Sequence, residues 1–197
     1  MKEFRLLVLA SGRGSHTVNL IEATRDGRIQ GEVTRVVSDR PDAAVLEEAR
    51  ALGVRTMTLG PVAAGARLTP EAERQLLQAA REDGVDLLCL CGFMRLLSAD
   101  FIEQVGVPIL NVHPSLLPAF PGLHAQRRAL EAGVPVTGAT VHIVDAGMDT
   151  GPILLQAPLP IRGDDTEQTL SDRLLPLEHR LYVGAIQMMK TRAEELK

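Results

Sequence analysis

The chain has 197 residues, 45% of them hydrophobic, and a formal net charge of −4 at pH 7. That length buries a sizeable core without disulfide or metal staples, while scattered basic residues, one tyrosine and no tryptophan argue against a nucleic-acid partner. The N-terminus lacks the apolar core of a secretory leader and no run approaches the roughly 18 apolar residues of a membrane span, so a single cytoplasmic domain over 1–197 with small-molecule ligands and no membrane partner is expected.

Phe4 to Ala10 is an almost continuous apolar run, followed by Ser11-Gly12-Arg13-Gly14-Ser15 and by a segment with Val18, Leu20, Ile21 and Ala23 at helical spacing. The pattern predicts strand, glycine turn and helix. Such a junction aims backbone N–H groups and the positive helix end at one spot, which suits a phosphate, yet the same residues also make a plain βα turn. Glu32 to Ser38 predicts a second strand, Asp42 to Leu52 a helix closed by Gly53, and Val54 to Leu59 a third strand. Gly60 to Thr69 reads as a loop, with Thr69 capping a helix that Pro70 opens and that runs to about Arg81.

Val85 to Cys91 is a buried strand by composition, and its Cys89 and Cys91 are expected in the core and poorly placed to bridge to each other. Phe93 and Met94 at its end suit either an apolar pocket or the core. Ser98 caps a short helix to Val105, after which Pro108 to Asn111 forms a strand that Pro114 must end. Asn111 and His113, two apart, leave the same face of the strand exit. An amide donor beside an imidazole fits carbonyl chemistry, although a turn or capping duty is the commoner role for such residues taken alone.

Pro114, Pro118 and Pro121 predict a stiff wall, and helix resumes over Gly122 to Glu131, with His124 on its surface or at its cap. Thr140 to Val144 and Ile153 to Leu159 read as strands of a late antiparallel hairpin, joined by a loop containing Asp145, Gly147, Asp149 and Gly151. Asp149 suits a turn or a loop folding over a ligand. Thr166 caps a long helix toward Met189, interrupted at Pro176, with a charged tail past Lys190 expected to fray. The whole predicts an α/β fold: a mostly parallel, doubly wound, Rossmann-like sheet with a late antiparallel strand and flanking helices.

The segments Leu110-Asn111-Val112-His113-Pro114-Ser115-Leu116-Leu117-Pro118, Gly92-Phe93-Met94-Arg95 and Asp149-Thr150-Gly151-Pro152 together resemble the folate-dependent glycinamide ribonucleotide formyltransferases, over nearly the whole chain. The resemblance implies transfer of the formyl group from 10-formyltetrahydrofolate, a cosubstrate, to the amino group of 5-phosphoribosylglycinamide, a step of purine synthesis, with no metal. It places the catalytic set on Asn111, His113 and Asp149, with His113 as general acid and Asp149 favouring its imidazolium. It places the substrate phosphate at Gly12, Arg13, Gly14, Ser15 and His16, and the ribose hydroxyls at Glu178. The folate falls to Met94, Arg95, Leu96, Leu97, Asn111 and the loop Asp145, Ala146, Gly147, Met148 and Asp149.

Arg13 and His16 stand where many members of that family carry asparagine, and Leu175 where some carry a polar or basic residue. A family arginine near Thr69 has no match in register, Arg67 being displaced from it. Related enzymes leave a 10-formyltetrahydrofolate hydrolase as the alternative reaction, and a noncatalytic nucleotide-binding protein as the alternative class. A monomer and a homodimer are both compatible with the sequence.

Overall fold

Leu6, Leu7, Val8 and Leu9 are fully buried in β1 (Phe4–Leu9). A strand covered on both faces needs no polar side, which is why an unbroken apolar run forms it. The structure, a computed structural model, describes residues 3–60 and 65–195. β1 pairs in parallel with β2 (Gly31–Ser38) and β4 (Leu87–Leu90), and β2 in parallel with β3 (Arg55–Thr58). With β5 (Ile109–His113), β6 (Val136–Ile143) and β7 (Ile153–Pro160), the seven-stranded sheet has the order β3-β2-β1-β4-β5-β6-β7. β6 and β7 are antiparallel. The expected α/β class with a late antiparallel strand is the observed one, and the strand order reverses direction between β1 and β4, where open sheets of this kind take ligands.

By its internal contacts the chain divides into two compact units, Met1–Leu110 and Asn111–Lys197, so that β5 contributes its apolar start to the first and its polar end to the second. The first unit holds α1 (Ser15–Arg25), α2 (Ala44–Ala51), α3 (Pro70–Asp83) and α4 (Ala99–Val105). Thr69 caps α3 by accepting from the Ala72 amide at 3.1 Å, and Ser98 caps α4 from Phe101 at 3.0 Å, as the sequence predicts. α3 runs to Asp83 rather than Arg81, and α2 begins at Ala44 rather than Asp42, because Ala43 is still extended. Cys89 and Cys91 are buried and form no disulfide. Of the expected loop after Gly60, residues 61–64 lie outside the described residues.

The second unit holds α5 (Ala125–Glu131) and α6 (Glu167–Glu195), with Leu170, Leu174, Tyr182 and Ile186 fully buried on α6. Its elements depart from expectation at four places. β5 continues past Asn111 to His113, stopping only at Pro114. α5 starts at Ala125, not Gly122, because Gly122 and His124 have φ of 78° and 58° and cannot join a right-handed helix. β6 begins at Val136, since β7 pairs with it as far as Pro160. α6 continues to Glu195, where Lys190 and Glu194 pair at 3.0 Å along its last turns. Among the described residues no helix is long and apolar enough to cross a membrane.

Candidate active site

The polar end of β5, the end of β6 and the hairpin loop converge within the second unit. Asn111 and His113 leave one face of β5, and both reach Asp149. Asp149 sits in the left-handed region with φ 55°, a turn conformation that suits aspartate, as the turn reading expects. The turn aims the carboxylate inward. Oδ2 accepts the Gly122 amide at 2.7 Å and lies 3.3 Å from His113 Nδ1, while Oδ1 lies 3.4 Å from Asn111 Nδ2 and 3.5 Å from His142 Nε2.

His113 is buried, and its Nε2 lies 2.9 Å from the carbonyl oxygen of Phe120. Both ring nitrogens therefore face oxygen acceptors. A neutral ring donates to one of them only, whereas the imidazolium donates to both. His142, 2% exposed, approaches the Ile143 carbonyl at 3.1 Å through Nδ1 and Asn111 Nδ2 at 3.2 Å through Nε2. His142 Nε2 thus lies between the Asn111 amide and Asp149 Oδ1, able to accept from the first when its proton is on Nδ1 and to donate to the second when Nε2 carries one. Burial pushes the Asp149 carboxyl up, but the His142 hydrogen bond, the Gly122 amide and the charges of His113 and His142 outweigh it, leaving Asp149 below the ordinary value of 3.8.

The wall between His113 and α5 is held by backbone and hydroxyl groups. Ser115 Oγ donates to the Ala119 carbonyl at 2.5 Å, and Thr140 Oγ1 donates to the Ser115 carbonyl at 2.7 Å while accepting the Leu117 amide at 3.0 Å. Phe120, with φ 54°, turns its carbonyl toward His113. In the hairpin loop Asp145 accepts from the Gly147 amide and Thr150 hydroxyl at 3.0 and 2.7 Å. Gly151 admits the close return of the chain, since a Cβ there would lie 1.8 Å from the Ile143 carbonyl oxygen. Among the described residues no group of three His, Cys, Asp or Glu side chains is arranged to hold a metal ion.

In the first unit the glycine turn leads into α1 as the sequence predicts. Gly14 is the N-cap, with φ 94°, and brings no side chain to close the first-turn amides. A Cβ on it would meet Val45 Cγ2 at 2.5 Å. Beyond β4, Met94 is 60% exposed, which excludes the core alternative for it, while Leu97 is buried.

A model of the family described as formyl transferase matches residues 4–186. The chain belongs to the formyl transferase family. Phosphoribosylglycinamide formyltransferase of Escherichia coli (strain K12) is 39% identical over 177 residues, 90% of this chain and 82% of that protein. The crystal structure of glycinamide ribonucleotide transformylase 1 from Symbiobacterium toebii superimposes with a TM-score of 0.88 at 45% identity, covering 96% of this chain and 89% of that one. The trifunctional purine biosynthetic protein adenosine-3 of Drosophila melanogaster is 44% identical over 188 residues, 94% of this chain but 14% of that protein's length.

Of the residues expected to act in this formyl transferase, Asn111, His113 and Asp149 are brought together in one cluster. Asp145, Ala146, Gly147 and Met148 form the loop leading to Asp149, with Met148 52% exposed. Arg13 is exposed and His16 half-buried at the start of α1, and Glu178 is buried on α6. Sequence reasoning missed His142. Its signal was a histidine two residues from Thr140 in an alternating strand, on the side shared with a buried threonine. The Phe120 carbonyl and Gly122 amide left no side-chain signal at all.

Proposed function

We propose that this chain transfers the formyl group of 10-formyltetrahydrofolate to the amino group of 5-phosphoribosylglycinamide, as a single formyltransferase domain in the cytoplasm, as monomer or homodimer. The observation that carries this reading is the convergence of Asn111, His113 and Asp149 within hydrogen-bonding reach in a member of the formyl transferase family. The family supplies the reaction class, and the side chains present suit its charge changes.

Attack of the substrate amine on the formyl carbon builds a tetrahedral oxyanion. Asn111 carries the neutral donor for that oxygen: its Nδ2 contacts to His142 and Asp149, at 3.2 and 3.4 Å, are long enough to redirect at small cost. The His113 imidazolium supplies the proton. Its Nδ1 faces Asp149, so the Nε2 proton, now directed at the Phe120 carbonyl, is the one passed to N10 as the carbon–N10 bond breaks. The proton the amine loses returns to His113 Nε2, which restores the imidazolium, and the products are the formylated amide and tetrahydrofolate. In the same reading Gly12 to His16 bind the phosphate, Glu178 the ribose, and Met94 to Leu97 with Asp145 to Asp149 the folate.

Purified protein mixed with 10-formyltetrahydrofolate, with and without phosphoribosylglycinamide, tests the reading. Turnover that requires the amine is expected. Formate release independent of the amine identifies a hydrolase, and binding without turnover identifies a noncatalytic protein.

A further inference from the structure

We infer that Asp39, just after β2 in the first unit, is a positioning residue for the segment Met94 to Leu97, and through it for the formyl donor. The inference rests on the reading above that this segment holds the folate. The Asp39 side chain is 2% exposed, a costly place for a carboxylate unless every contact is used. One oxygen accepts from Ser11 Oγ at 2.6 Å and the other from Arg95 Nε at 2.7 Å. The Ser11 oxygen in turn accepts the Met94 amide at 2.9 Å. Two consecutive residues of the segment, Met94 by its backbone and Arg95 by its side chain, are thus tied to one buried carboxylate.

The opposite side of the segment is tied elsewhere. Arg95 Nη1 donates to the Gly65 carbonyl, and Leu96 exchanges backbone hydrogen bonds with Ala66 and Leu68 at 2.7 and 3.4 Å. Met94 lies between these anchors with its side chain exposed, so the chain there depends on Asp39 to keep its direction. The neighbouring glycine turn touches Asp39 only through its first residue, Ser11, and is anchored beyond it by other contacts. Its Gly12 carbonyl accepts from the Val45 amide at 3.2 Å, and Gly14 packs on Val45. Loss of the Asp39 charge therefore loosens the donor segment and leaves the phosphate turn in place.

Asp39→Asn keeps the shape and removes the charge. In the full chain it is expected to raise the KM for 10-formyltetrahydrofolate about tenfold, with kcat and the KM for phosphoribosylglycinamide within about twofold. Backbone hydrogen exchange over residues 92–97, followed by mass spectrometry without substrates, is expected to accelerate. Ser11→Ala, which spares Asp39 and cuts the link to the Met94 amide, is expected to reproduce the faster exchange. Lack of transfer by the unmodified protein counts against the proposed function, and the exchange measurement then still tests Asp39. An unchanged donor KM in an active Asp39→Asn protein, equal rises in both KM values, or unchanged exchange in either folded variant overturns the inference.

Discussion

The Gly122 amide and His113 Nδ1 meet on the same oxygen of Asp149, at 2.7 and 3.3 Å. One carboxylate therefore holds both the backbone at Gly122 and the His113 ring. Asp149→Asn is expected to lower kcat about a hundredfold or more with little change in either KM, because the proton donor loses its counter-charge while the loop keeps its shape. Steady-state kinetics against both substrates check this; an unchanged kcat removes Asp149 from the catalytic set.

The same carboxylate makes the fold sensitive to acid. Its value lies below the ordinary 3.8 in the folded chain, so the unfolded state takes up the proton first as pH falls. The stability it contributes is full above the unfolded value of about 3.9 and is lost as pH drops through the lower folded value. Urea midpoints measured from about pH 5 to about pH 3 are expected to fall less steeply for Asp149→Asn than for the unmodified chain. Parallel slopes count against a lowered Asp149.

His142 Nε2 lies 3.2 Å from Asn111 Nδ2 and, with its proton on Nδ1, accepts from that amide. His142→Ala is expected to cost about tenfold in kcat, the size of one positioning hydrogen bond. The two side chains act through one contact, so adding His142→Ala to Asn111→Ala is expected to cost little more than Asn111→Ala alone. Full additivity in that double-variant cycle means that His142 acts elsewhere.

How far the sequence discloses this site depends on which atoms do the work. Period-2 alternation places Asn111 and His113 on one face, and β5 obeys it. The apolar runs at Phe4 and Leu87 are strands because both of their faces are covered, and that composition is visible in one chain. The Phe120 carbonyl and Gly122 amide are invisible in the same way that all backbone groups are, and what orients them is the left-handed conformation of a phenylalanine, which residue type argues against. The same left-handed conformation at Gly122 and His124 delays the helix expected from Gly122. Asp39 is legible only as a charge after a strand; its burial depends on Ser11 and Arg95, distant in sequence. The tail beyond Lys190 looked too charged to order, but its charges pair along the helix.

Asp83, 1% exposed at the end of α3, accepts from Arg35 and Arg55 at 2.9 and 2.6 Å. Arg35 is itself 14% exposed, whereas Arg55 is 65% exposed and turns to water at little cost. Asp83→Ala leaves Arg35 only the exposed Glu82, 3.4 Å from its Nη2, and is expected to destabilise the fold by about 3 kcal/mol, the lower end for a broken buried pair. Chemical denaturation reads the loss, and kcat per folded molecule is expected to remain unchanged, since Asp83 belongs to none of the binding segments.

Gly14→Ala separates the phosphate turn from the rest of the chemistry. The new Cβ meets Val45 Cγ2 at 2.5 Å and must be carried at φ 94°, so the turn shifts or the fold pays about 1–3 kcal/mol in strain. Either outcome moves the first-turn amides of α1, which the proposed phosphate site needs at close approach. The KM for phosphoribosylglycinamide is expected to rise about tenfold or more, well below the melting temperature of the variant, while the KM for 10-formyltetrahydrofolate stays within about twofold. A variant with a lowered Tm but an unchanged acceptor KM shows that the glycine serves the packing of the turn on α2 and that the phosphate binds elsewhere.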